Sequence, residues 1–308
     1  LLANTTASNN IAIGASTLLA NTIGDRNIAI GTGALQTNTT ASINIAIGEA
    51  SLGGNTTGTQ NVAIGLSALQ SNTTADNNIA IGSSALLANV TGVQNTAIGT
   101  DTLRANTTAN NNVAIGSSAL LANTTGTQNV AIGSITLLTN TTANNNVAIG
   151  YSALLANTTG TQNTAVGSTA LDAHTTGFDT TAIGFNALGA STTGDRNTAC
   201  GAFAMAAQTT GSSNTAVGVA ALLTSTTGQS NVSIGVSAGA AIANGSNNTC
   251  IGTGADVNFG AATGRIAIGR TSAGVAANAT TDNGLFFHTA LAIVVSTGVN
   301  YNAATGQM

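Results

Sequence analysis

The chain has 308 residues, of which only 14 are charged: eight Asp, one Glu and five Arg, with no Lys, Pro or Trp. Soluble domains average about 25% charged residues, so this is not the composition of an ordinary globular enzyme, and five scattered Arg exclude the basic footprint of a nucleic-acid binder. No run of 18 apolar residues and no basic segment followed by an apolar one is present, so neither a membrane-spanning helix nor a signal peptide is expected.

Leu1 starts in mid-repeat, since LLANTT recurs at Leu120, and the chain reads as a piece of something longer. Self-similarity is the first thing to look for. Taking the glycine of each AIG-like motif as an anchor, copies fall at Gly14, Gly31, Gly48, Gly65, Gly82, Gly99, Gly116, Gly133, Gly150, Gly167, Gly184, Gly201, Gly218, Gly235, Gly252 and Gly269, each 17 residues after the last. Sixteen copies pass without an insertion or deletion. Loops of a globular domain tolerate length changes; a stack in which each turn registers on the one before does not. This points to a solenoid with one coil per repeat.

Within a coil the elements follow in order. Four residues before the anchor stands Asn, in fourteen copies, suited to a corner whose amide bonds local backbone or stacks on its neighbours. Then come three strand residues. The leading one is Ile, Val or Thr in all sixteen copies, the middle one Ala in fourteen (Ser233 and Cys250 otherwise), and the trailing one Ile or Val in fifteen, with Cys200 the exception. β-branched residues at alternate positions predict a strand. The anchor suits a corner with positive φ or a close backbone approach. A second short strand is predicted after it, around a Leu found four residues on in twelve copies. The turn NTTG or NTTA closes the coil, and over the first nine copies its last residue alternates Gly and Ala, a 34-residue finer period.

Neither face of the predicted VAI strand is polar, although a strand with one face in water alternates apolar with polar. The expectation is that the Ile and Val face inward, worth about 3–6 kcal/mol per coil before entropy, and that the Ala face packs against another chain. Coils stacked at about 4.8 Å make sixteen into a rod of roughly 80 Å. After Gly269 the register breaks. Leu285 to Val295, with Phe286 and Phe287, is the densest cluster of large apolar residues, and residues 270–308 are expected to cap the rod of 1–269 or lock chains together.

The N-[ITV]-A-[IV]-G core, running from about Asn10 to Gly269, resembles the head repeats of trimeric autotransporter adhesins, with a step longer than that family's usual repeat. The resemblance implies a left-handed parallel β-roll with three chains side by side. The C-terminal YNAATGQM is similar to segments that precede the intramolecular chaperone of phage and large-virus fibre proteins. That similarity implies trimerisation and removal of the chaperone.

Candidate chemistry is sparse. His174 stands in the turn Asn column and His288 in the apolar terminal cluster; Cys200 and Cys250, three coils apart, read as buried small hydrophobes. Asp25–Arg26 and Asp195–Arg196 share one phase of the repeat and read as solvated corner charges. No paired carboxylates recur on one face, and without Lys there is no phosphate-binding P-loop. No catalytic, cofactor-binding or metal-ligating residue emerges, and an enzyme is not expected. Asn38, Asn55, Asn72, Asn89, Asn106, Asn123, Asn140 and Asn157, with Asn4, each open an N-x-T sequon in the turn. They are glycosylation candidates if the turn is not simply built from the residues that turns prefer; Asn231, Asn247 and Asn278 open scattered ones. The Thr pair of the turn offers a different function, ice binding, although adjacent residues of a strand point to opposite faces.

The sequence therefore predicts an all-β, parallel β-solenoid, a homotrimer, serving as the shaft or head of an extracellular fibre on a cell or virion surface. It projects or adheres, with itself as partner and a host-surface receptor or glycan as target, and with neither nucleic acid nor membrane insertion. Self-polymerisation into an extracellular filament and ice binding are the alternatives.

Overall fold

A computed structural model describes residues 3–257, 261, 263–269 and 285–287. The chain forms two compact units, Leu1–Gln162 and Asn163–Met308. Among the described residues there is no helix, hence none long and apolar enough to cross a membrane. Each unit is a parallel β-solenoid.

In the first unit, three-residue strands recur from Ile11–Ile13 to Val147–Ile149. Each pairs in parallel with the strand 17 residues on, identical column against identical column: Ile28 opposite Ile45, Ala29 opposite Ala46, Ile30 opposite Ile47. The second unit repeats the scheme from Thr164–Val166 to Ile266–Ile268. There a further strand, Leu285–Phe287, pairs in parallel with Ile266–Ile268, Leu285 opposite Ile266. The step here is 19 residues rather than 17. The rest of the Leu285–Val295 cluster, with His288 and the YNAATGQM segment, lies outside the described residues.

The strand faces are the reverse of the sequence expectation. The middle Ala points inward and is fully buried in coil after coil, as at Ala46, Ala63, Ala80 and Ala97. The leading and trailing Ile and Val point outward and are half-buried or exposed. The reason lies in what else must fit inside. Each coil already sends a Leu such as Leu69, an Ala such as Ala68 and two Asn, such as Asn61 and Asn72, into the interior. The strand wall facing them has room only for a methyl group. The apolar core per coil is thus one Leu, worth about 1.5–3 kcal/mol, with small residues around it.

Among the described residues the predicted second strand is absent; the segment after the anchor is a chain of turns. The core Leu itself takes a left-handed conformation, φ 50° at Leu69 and 51° at Leu86, as does the residue two before it, φ 55° at Ser67. Such a conformation costs an L-residue about 1–2 kcal/mol. Here it lets one short segment bury Leu69 while its N–H donates to Ala85 O of the next coil at 3.0 Å and its carbonyl accepts from Asn72 N at 3.1 Å. The alternation of β-branched residues that betrays the strand has no counterpart for this segment.

The anchor glycine meets both conditions expected of it. Gly65 has φ 134°, and a Cβ there would lie 2.6 Å from the carbonyl oxygen of Gly82 in the next coil.

Candidate functional site

Two Asn ladders run through the interior. In the ladder before the strand, Asn112 Nδ2 donates to Gly126 O at 2.9 Å, and Asn112 Oδ1 accepts from the backbone N–H of Asn129 at 3.0 Å. The same pair of bonds recurs at Asn44, Asn78 and Asn95. In the turn ladder, Asn72 Nδ2 donates to Asn55 Oδ1 at 2.9 Å and to Ala75 O at 3.0 Å. Buried polar groups are tolerated because neighbours satisfy them.

This placement bears on the glycosylation candidates. Asn38, Asn55, Asn72, Asn89, Asn106, Asn123, Asn140 and Asn157 are all fully buried. In each, Nδ2 donates to the turn Asn of the preceding coil and to a carbonyl three residues on. A glycan on that nitrogen would displace one of these bonds and needs space the interior lacks, so the folded coil presents none of the eight to a transferase.

The two Thr of the turn divide their roles. The first is half-buried and its hydroxyl bonds the next coil, as when Thr56 Oγ1 donates to Thr73 O at 3.0 Å. The second, as at Thr57, Thr74, Thr91, Thr108 and Thr125, is exposed. Next to this column stands a feature that sequence reasoning missed. Asp76 Oδ1 accepts from Thr59 N at 2.6 Å, Asn110 Oδ1 from Val93 N at 2.7 Å and Asn144 Oδ1 from Thr127 N at 2.6 Å. From Ala41 onward, each coil of the first unit that carries Ala in the alternating turn position supplies such an acceptor to the coil before it, Ser42 Oγ accepting from Asp25 N, and Asp25 in a Gly coil supplies one as well. The 34-residue period was the available signal.

The scattered candidates are not brought together. His174 is buried in the turn column, with Nδ1 3.3 Å from Ser191 Oγ, and burial lowers its pKa against the opposing pull of Gly177, Asp195 and Ser191. Cys250 is buried and its thiol is pushed up to about 12, mainly by that burial. Cys200, expected inside, is exposed, because the trailing strand position faces outward. Asp25 and Asp195 are more than solvated charges: their Oδ1 atoms accept from Ser8 N at 2.6 Å and Phe178 N at 2.9 Å. Arg196 lies over the Phe178 ring at 5.9 Å, a cation–π geometry. Among the described residues no three His, Cys, Asp or Glu converge as metal ligands.

What the fold does converge is its outward strand face. In the first unit it carries two β-branched columns, leading and trailing, with Leu66 (53% exposed) and Tyr151 (58%) beside them. In the second unit Ile183, Phe185, Val217, Val219, Ile234 and Val236 stand 38–51% exposed, and Phe185 and Phe203 meet edge to face at 5.1 Å. Large exposed apolar patches are a general mark of interaction surfaces. No protein-family model matches the chain, and no curated protein matches it.

Proposed function

We propose that the chain is a non-enzymatic structural element, the shaft or head of an extracellular fibre on a cell or virion surface, acting as an association of identical copies. The observation that carries this reading is the outward strand face: rung after rung of Ile, Val and Thr with no charged residue in its leading or trailing column. The interior supports it, since its polar groups are engaged in stacking coils on one another. Three parallel copies, as in the adhesin heads and viral fibres that the NVAIG repeats resemble, is the assembly proposed, with projection or adhesion to a host-surface receptor or glycan as its task. Light scattering at several dilutions tests it. The expected native mass is three times the 29.7 kDa of the chain, holding on dilution; a monomer overturns it.

The exposed Thr column favours a second reading, ice binding. Because only the first Thr of each pair is turned toward the next coil, the second forms an outward hydroxyl-and-methyl row at the rung spacing of about 4.8 Å. Thermal hysteresis decides this one: a freezing gap that disappears when Thr91, Thr108 and Thr125 are replaced by Lys supports it, and no gap removes it.

A further inference from the structure

We infer that the turn holding Asn244 and Asn247 is an acceptor site for an N-linked oligosaccharide, with Asn247 the residue modified. In the cell this rests on the extracellular reading, because such transfer belongs to the secretory route. The chemistry of the site does not depend on that reading.

Burial and bonding remove the other described sequons. The eight turn Asn are closed off as described above. Asn231 is fully buried, with Nδ2 donating to Gly245 O at 2.8 Å and to Asn214 Oδ1 at 3.1 Å, and Asn4 Nδ2 donates to Ala7 O at 3.1 Å. Asn278 lies outside the described residues. Two sequons of the second unit escape: Asn247–Asn248–Thr249, and Asn244–Gly245–Ser246 three residues earlier. Both Asn are exposed, and among the described residues neither amide nitrogen has a bond to give up. The columns explain why. Asn244 stands in the exposed second-Thr place of the turn; the buried Asn place of this coil is filled by Ile242. Asn247 stands one residue before the buried Asn248, in a column that elsewhere in the unit holds Asp179, Arg196, Ser213 and Ser230, all exposed. That place takes side chains of different length and charge without packing them.

The transfer needs an amide nitrogen that can give up a proton. Nδ2 attacks C1 of the first sugar of a lipid diphosphate-linked oligosaccharide; the C1–O bond breaks, the lipid diphosphate leaves and the proton is released. An Asn side chain has two N–H donors. A ladder Asn such as Asn123 uses both, to Asn106 Oδ1 and Gly126 O, and would lose a buried bond; Asn247 uses neither. Contacts also set Asn247 above Asn244. Asn244 Oδ1 accepts from the hydroxyls of Thr226 and Thr227, the latter at 3.2 Å. The hydroxyl of its sequon, Ser246 Oγ, accepts from Gln229 N at 3.0 Å, so both ends of that sequon are held. Asn247 is fixed through its backbone instead, its N–H donating to Gln229 O at 2.9 Å. Its φ of 59° is in the left-handed region that Asn visits more readily than most residues. Thr249, the hydroxyl residue of this sequon, points outward and half-buried from the leading strand column.

The test is to incubate the folded full chain with a purified oligosaccharyltransferase and a lipid diphosphate-linked oligosaccharide. Synthetic peptides of residues 240–252 and 119–131 serve as the unfolded comparison. Sites are read by mass spectrometry after enzymatic release of the glycan in water enriched in heavy oxygen, which marks the released Asn as labelled Asp. Spontaneous deamidation at Asn244–Gly245 in ordinary water leaves no such label. The expected result is that both peptides are modified, whereas the folded chain is modified at Asn247 and not at any of the eight turn Asn, with an unchanged circular dichroism spectrum. Asn247→Gln, which introduces the residue that the equivalent column carries at Gln60 and Gln94, should remove most of the product. Adding Asn244→Thr, which restores the usual residue of that column, should remove the rest. A folded chain left unmodified at Asn247 while the 240–252 peptide is modified overturns the proposal. So does a 240–252 peptide that the enzyme ignores, or transfer to a turn Asn of the folded chain. None of these outcomes touches the fibre reading, which the native mass decides separately.

Discussion

Asn112 shows what a single residue contributes. Its side chain serves two backbone groups, Gly126 O and Asn129 N, at zero exposure. Asn112→Ala leaves Asn129 N without its partner, whereas Gly126 O keeps the bond from Asn123 Nδ2 at 2.9 Å, and an unsatisfied buried group costs about 1–3 kcal/mol. We expect a loss of about 1–3 kcal/mol in urea unfolding. Asn112→Thr should lose less: Thr180 occupies the equivalent place, and its hydroxyl still donates to Gly194 O at 3.2 Å. His174 carries the pH dependence of the turn column. Burial depresses its pKa in the folded state, so the unfolded chain takes up the proton first. Stability is therefore full above the ordinary histidine value, near 6.5, and falls as pH drops through the depressed folded value. Unfolding midpoints measured from pH 8 to pH 5 should slope in the wild type and flatten in His174→Asn, which restores the column's usual residue.

At the scale of one coil, inward and outward positions should respond oppositely to the same chemistry. Ala114 is fully buried between neighbouring rungs. Ala114→Val overfills that space, at an expected cost of about 1–3 kcal/mol. Its neighbour Val113 faces outward, and Val113→Thr should shift stability by no more than about 0.5 kcal/mol, as Thr96 already stands in that column. If the β-branched residues made the core, thermal melts would show the opposite ranking. The left-handed positions offer a gain. Ala50 has φ 56°, whereas the same place in two other coils holds Gly33 and Gly254. Ala50→Gly is expected to raise the unfolding free energy by about 0.5–1 kcal/mol.

For the molecule as a stack, stability is a sum of coil and nearest-neighbour terms, and the two-coil period makes those terms alternate. Excising residues 62–95, two coils, keeps the order of acceptor-bearing and acceptor-receiving coils in the first unit. Excising residues 62–78 alone removes Asp76 and sets Val93 where the acceptor to Thr59 N stood. The longer deletion should therefore be the better tolerated, with the shorter one losing an additional 1 kcal/mol or so in denaturant unfolding.

The sequence by itself determined the coil. An unbroken 17-residue step specifies stacking, because insertions would throw every later rung out of line, and β-branched alternation specifies the strand. It also showed Asn and Gly at the corners, whose roles follow from local backbone chemistry. Which face of the VAI strand lies inside was decided only by the tertiary structure. Alternation says that leading and middle residues point oppositely, yet not which way, and the choice depended on how much volume Leu69, Asn61 and Asn72 already take up across the coil. The left-handed Leu was equally hidden, since its conformation is imposed by bonds to Ala85 O and Asn72 N rather than by its own preference. So was the burial of the sequon Asn, a property of the position of the turn in the coil. These outcomes placed Ile, Val and Cys200 on the outside.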